Sequence, residues 1–178
     1  MPATRLGPTA SLAVFGAVCA VVGGALRIAS TFIPWAPASP WLETLYGVID
    51  ICLLFGLIAV YLHAAERIGV VGLFFFVISV AAQASIVGPD AVMFGIDFYQ
   101  LGCAVLLIGL LGLSIQMLRV GVLRPPAGFW LASSVSGFGA TATSSKVGVL
   151  AAGAILGVGF LCAGFLILHR PPAPAAAG

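Results

Sequence analysis

Long runs of apolar residues, interrupted only by short polar or proline-rich breaks, set the pattern of this chain. A bilayer core about 30 Å thick needs roughly 20 apolar residues in a helix, and only a helix or a closed barrel satisfies its own backbone there. The runs are too long and too evenly apolar for barrel strands, so the pattern predicts an all-α integral membrane protein, a bundle of six transmembrane helices. The spans fall at about 9–33, 42–64, 68–88, 91–118, 126–145 and 147–169, within a single domain covering 1–170. Residues 171–178 form a flexible Pro/Ala tail.

The breaks follow from residue chemistry. Pro34, Pro37 and Pro40 end the first helix, and Trp35 and Trp41 beside them suit a membrane interface. Glu66-Arg67 separates the second span from the third, and Gly88-Pro89-Asp90 turns the chain into the fourth. The segment 129–145 is the weakest span: it carries Ser133, Ser134, Ser136, Thr141, Thr143 and Ser144 among several glycines. It reads either as a span packed inside the bundle or, in a five-span alternative, as a re-entrant or interfacial piece.

Composition agrees with this reading. Hydrophobic residues make up 62% of 178 positions and charged residues 7%, with a mean hydropathy of +1.23, whereas soluble domains carry about a quarter charged residues. So few charges leave no basic surface to neutralise phosphates, and no nucleic acid partner is expected. The four cysteines fall inside apolar runs, as small buried hydrophobes do. Arg5 followed by an apolar run resembles a signal peptide, but without a convincing cleavage site it reads as the first membrane helix, retained.

Charge sets the expected orientation. With a cytoplasmic N-terminus in the cell membrane, Arg5, Arg67, Arg119, Arg124 and Arg170 lie inside and Lys146 outside, a positive-inside distribution. A five-span topology would exchange Lys146 and Arg170 and leave the count unchanged.

Ionisable and amide residues inside the spans are the candidate chemistry. At about 1.5 Å per residue, Arg27, Asp50, Gln83 and Asp97 lie roughly 9–13 Å in from the outer breaks, at comparable depth. A charge near the middle of a membrane helix costs about 2.5–3.5 kcal/mol on insertion scales, so these groups should face one another or a water-filled cavity. Arg27 shares a face with Gly16, Ala20, Gly23, Gly24, Ser30 and Thr31, Asp50 with Glu43, Tyr46 and Gly47, and Asp97 with Gln100. Tyr46-Gly47-Val48-Ile49-Asp50 also aligns with Phe94-Gly95-Ile96-Asp97, and Ala25–Ser30 with Ala81–Ser85, each with a one-residue gap. This is the signature of a parallel two-helix repeat.

The candidate site is therefore Arg27, Asp50, Gln83, Asp97 and Gln100. It reads as an ion pair that fixes helix register or as an outward-facing pocket for an ion, a proton or a small polar ligand. One arginine against two aspartates leaves negative charge to be offset by a cation, a proton or Lys146. Gly153 and Gly157 form a GxxxG, extended by Gly164, that suits internal helix packing. His63 and His169 lie at inner helix ends; a haem between them is conceivable, but two interfacial histidines are ordinary, and no cofactor or metal is expected.

No catalytic motif occurs, so the chain leans away from an enzyme. The leading expectation is a small multi-pass protein acting by lateral binding or assembly in the lipid bilayer, with a membrane-protein partner or as a homo-oligomer. The alternative is a small proton- or ion-coupled transporter using Asp50 and Asp97 with Arg27 as counter-charge.

Overall fold

The computed structural model describes residues 7–34, 36, 39–87 and 92–169. Arg5, Trp35, Pro37, the Gly88–Asp90 turn, Arg170 and the 171–178 tail lie outside the described residues. The described chain is helical apart from one small hairpin: α1 (Pro8–Ser30), α2 (Pro40–Ser85), β1 (Val92–Met93), β2 (Ile96–Asp97), α3 (Phe98–Val120), α4 (Arg124–Ala142) and α5 (Lys146–His169). Four helices, α1, α2, α3 and α5, are long and apolar enough to cross a membrane.

The expected count of six separate helices is corrected to five. The predicted second and third spans belong to one helical element of 46 residues, interrupted at Gly69 with φ 61° and ψ −164°. That backbone region is essentially closed to side-chain-bearing residues, so glycine is what lets the chain turn there without leaving helical hydrogen bonding for long. The two arms of α2 run antiparallel: the Tyr61 and Phe76 rings stack with centroids 4.2 Å apart, and Gln83 reaches Asp50. The Ile68 carbonyl, next to the break, accepts a hydrogen bond of 3.0 Å from the Gln116 side chain of α3.

The helices form a ring in which α1 packs on α5 and α2, α2 on α3, α3 on α4, and α4 on α5. Small residues bring the axes together. A Cβ at Gly24 would stand 2.5 Å from the Gly157 carbonyl oxygen of α5, and one at Gly157 would stand 2.7 Å from that of Gly24. The Gly153/Gly157 pair thus serves internal packing, which needs backbones this close. Trp130 and Phe160, both fully buried, fill the centre with ring centroids 4.9 Å apart.

The doubtful 129–145 segment lies largely in α4, a regular helix of 19 residues, but it is not among the four apolar enough to span. Its buried hydroxyls have partners: Ser133 donates to the Ala152 carbonyl of α5 at 2.8 Å, and Ser134 to those of Leu107 of α3 at 3.0 Å and Trp130 at 2.9 Å.

The fourth predicted span starts later than its sequence pattern implied, because α3 begins at Phe98. The preceding residues form an antiparallel hairpin, Val92 opposite Asp97 and Met93 opposite Ile96, with Phe94 and Gly95 at positive φ in its turn. The aligned segments of the expected repeat therefore divide. Ala25–Ser30 and Ala81–Ser85 end helices alike, with Ser30 and Ser85 each donating to the carbonyl three residues back at 2.8 Å. Tyr46–Asp50 is mid-helix, whereas Phe94–Asp97 is a turn and a strand.

Candidate functional site

Asp50 sits on the first arm of α2, ten residues from its start, among the apolar positions Ile49 and Leu53 that bury the same face. Being 9% exposed, its carboxylate needs a donor, since an unpaired charge in an apolar interior is strongly unfavourable. Gln83, fully buried on the second arm, supplies one. Its Nε2 donates to Asp50 Oδ1 at 3.1 Å and to the Asp50 main-chain oxygen at 3.3 Å. The Gln83 Oε1 is buried without a partner.

Arg27 stands level with this pair, because α1 runs antiparallel to the first arm with Gly23 against Cys52 and Leu53. It is half-buried, and its guanidinium lies 6.0 Å from the Tyr46 ring centroid, a cation–π arrangement. The same side chain occupies a notch at Gly153, where a Cβ would come within 3.0 Å of Nη2. Among the described residues no ion pair within 4.0 Å joins Arg27 to Asp50.

Asp97 and Gln100 have a different setting. Asp97 is the N-cap of α3, where its Oδ1 accepts the Gln100 main-chain N–H at 2.9 Å, the usual use of an aspartate at a helix start. The Gln100 side chain is exposed. The structure thus brings Arg27, Asp50 and Gln83 together and leaves Asp97 and Gln100 in a local cap.

Two residues that sequence reasoning missed complete the cluster. Tyr99 and Cys103 of α3, one helical turn apart and both packed partly buried against the core, stand on the side of α3 toward Arg27 and Asp50. Their signal was the buried face of α3, Gly102, Leu106, Gly109, Leu113 and Met117, whose three-to-four spacing, run backwards, lands on Tyr99 rather than Gln100.

His169 Nδ1 lies 2.8 Å from the Phe165 carbonyl oxygen, and among the described residues no group of three or more His, Cys, Asp or Glu is placed to hold a metal. The four cysteines are free thiols.

Four long apolar helices and a bundle core of aliphatic side chains and alanines, with Trp130 and Phe160 among them, define a membrane-embedded helical protein. No family model, curated protein or solved structure matches the chain.

Proposed function

We propose that this chain is a non-enzymatic multi-pass protein of the cell membrane that works by lateral assembly with another membrane-embedded helix. In this reading α2 crosses twice, once with each arm, and α4 crosses as well, giving six crossings. The end carrying Arg67, Arg119 and Arg124 faces the cytoplasm, together with the start of α1.

The observation that carries the reading is the outward face of α4. Gly128, Ala132, Val135 and Gly139 recur at a four-three-four spacing, Val135 is 64% exposed, and a Cβ at Gly128 or Gly139 would meet nothing within 4 Å. In a bilayer, close backbone approach along small residues is a main source of helix association. The neighbouring hydroxyls of Ser136, Thr141 and Thr143 donate to carbonyls of their own helix, so they make no polar demand on what packs there. The Asp50–Gln83 bond, on this reading, holds the α2 hairpin closed.

The test is assembly in mild detergent and in native membranes. Wild-type protein should run above its monomer mass, and oxidation of a Val135→Cys variant should trap a cross-linked species; Gly139→Leu should weaken both. A strictly monomeric wild type with no trapped species would overturn the reading.

A second reading, a small proton- or ion-coupled transporter built on Asp50 with Arg27 as counter-charge, draws on one observation. The Gln83 Oε1 is an unused acceptor beside a buried carboxylate that Arg27 does not pair with, a setting a proton or small cation would complete. Asp97 has little part in it, being engaged as a helix cap. Flux into proteoliposomes that Asp50→Asn leaves unchanged would rule it out.

A further inference from the structure

The opposite end of the bundle holds a cavity of about 340 Å³ where the α2 turn, the α3–α4 link and the end of α5 meet; His63, Arg67, Gly121, Leu123, Arg124 and Leu166 are among its walls. Its size falls in the ~300–1,000 Å³ range of small-ligand sites. Its charge is one-sided. Among the described residues two guanidinium-bearing side chains and a histidine line it and no carboxylate does; Glu66, next to Arg67 in sequence, is exposed and takes no part in the wall.

The backbone builds this arrangement. The chain leaves α3 through Gly121 at φ 76° and enters α4 through Leu123 at φ 44°, a tight reversal that sets Arg124 back over Gly121. A Cβ at 121 would lie 3.0 Å from Arg124 Nη2, so the glycine makes room for the guanidinium. His63 is one helical turn before Arg67 on the same face of α2, and its Nδ1 is buried with no partner. Among the described residues neither arginine is in an ion pair within 4.0 Å. Pro125 and Pro126 bring no N–H to the start of α4, so this helix end contributes the positive end of its dipole rather than amide donors.

We infer that this cavity binds a phosphate-ester anion, with Arg67 and Arg124 as the paired donors and His63 as a third. Guanidinium groups match phosphate oxygens in geometry as well as charge. Val122, Pro125 and Leu166 give the same cavity an apolar wall, which suits the glycerol and upper acyl chain of an anionic lipid. Basic pockets between membrane helices take such head groups. The shared chemistry also admits soluble phosphate, and the experiment separates the two sources.

Purified full-length protein in detergent is titrated with short-chain phosphatidylglycerol, with phosphatidylcholine of equal chain length and with inorganic phosphate, following bound ligand by native mass spectrometry and the thermal transition by circular dichroism. The expected result is phosphatidylglycerol bound at least about tenfold more tightly than phosphatidylcholine, a preference lost in Arg67→Gln/Arg124→Gln while helicity is unchanged. Inorganic phosphate bound with the same arginine dependence would assign the site to a soluble anion. Both side chains lie at the surface, and Leu166→Trp, which fills the cavity and leaves the charges, serves as the second variant and should also abolish binding. Binding of none of these probes, or binding unaffected by both variants, would overturn the inference.

Discussion

The side-chain amide of Gln83 donates to both the carboxylate and the main-chain oxygen of Asp50, at 3.1 and 3.3 Å, and so ties the second arm of α2 to the first. The two partners are not equivalent under mutation. Gln83→Leu leaves a buried carboxylate without its donor and should destabilise the fold by about 1–3 kcal/mol, the range for a buried acceptor that loses its hydrogen-bond partner. Asp50→Asn keeps an acceptor for the amide and removes a buried charge, so it should be neutral or mildly stabilising. Thermal unfolding in detergent compares them; equal losses in both variants would contradict this division.

Gly69 and Gly47 give a contrast that isolates backbone conformation. A Cβ at either position would meet nothing within 4 Å, but Gly69 has φ 61° while Gly47 lies in regular helix. Gly69→Ala should therefore cost about 1–3 kcal/mol through strain alone. Gly47→Ala should stabilise by up to about 1 kcal/mol. The midpoint of denaturant unfolding should move in opposite directions for the two.

At the α1–α5 crossing, space decides. Gly24→Val places carbon against the Gly157 carbonyl, 2.5 Å from the Cβ position, where only a shift of backbone relieves the clash. A loss of about 1–3 kcal/mol is expected from overpacking of this kind. Gly153→Ala meets instead the tip of the Arg27 side chain at 3.0 Å, which can swing away. It should unfold near the wild-type temperature and change the fluorescence of Tyr46, whose ring the guanidinium faces.

Crossing number can be read directly. On six crossings, Arg67 and Ser144 lie on opposite sides of the membrane. A membrane-impermeant maleimide added to intact cells should label Ser144→Cys and reach Arg67→Cys only after permeabilisation, in a background lacking the four native cysteines. Labelling of both from outside would remove the proposal that α4 crosses.

The membrane class was legible in the sequence because apolar runs of this length have one physical solution. That Arg27, Asp50 and Gln83 lie at one level of the bundle was legible too, since each sits a countable distance from a break between the apolar runs. Gln83 as the Asp50 partner was not, because depth alone does not fix azimuth, and an arginine at equal depth is the stronger expectation on charge. Asp97 misled for a local reason. Its Phe-Gly-Ile-Asp context resembles the mid-helix Tyr46–Asp50 segment, yet Phe94 and Gly95 turn at positive φ and leave Asp97 at a helix start. The count of helices failed where one glycine, with no flanking proline, reversed the chain at Gly69.

The hydroxyls of Ser133 and Ser134 bear on how the protein is made. Ser134 bonds to α3, already synthesised when α4 emerges, whereas Ser133 bonds to Ala152 of α5, still to come. On the six-crossing reading, a helix too polar to rank with the other four enters the bilayer on credit from the next one, and a nascent chain cut between α4 and α5 is the form that cellular quality control should recognise and degrade.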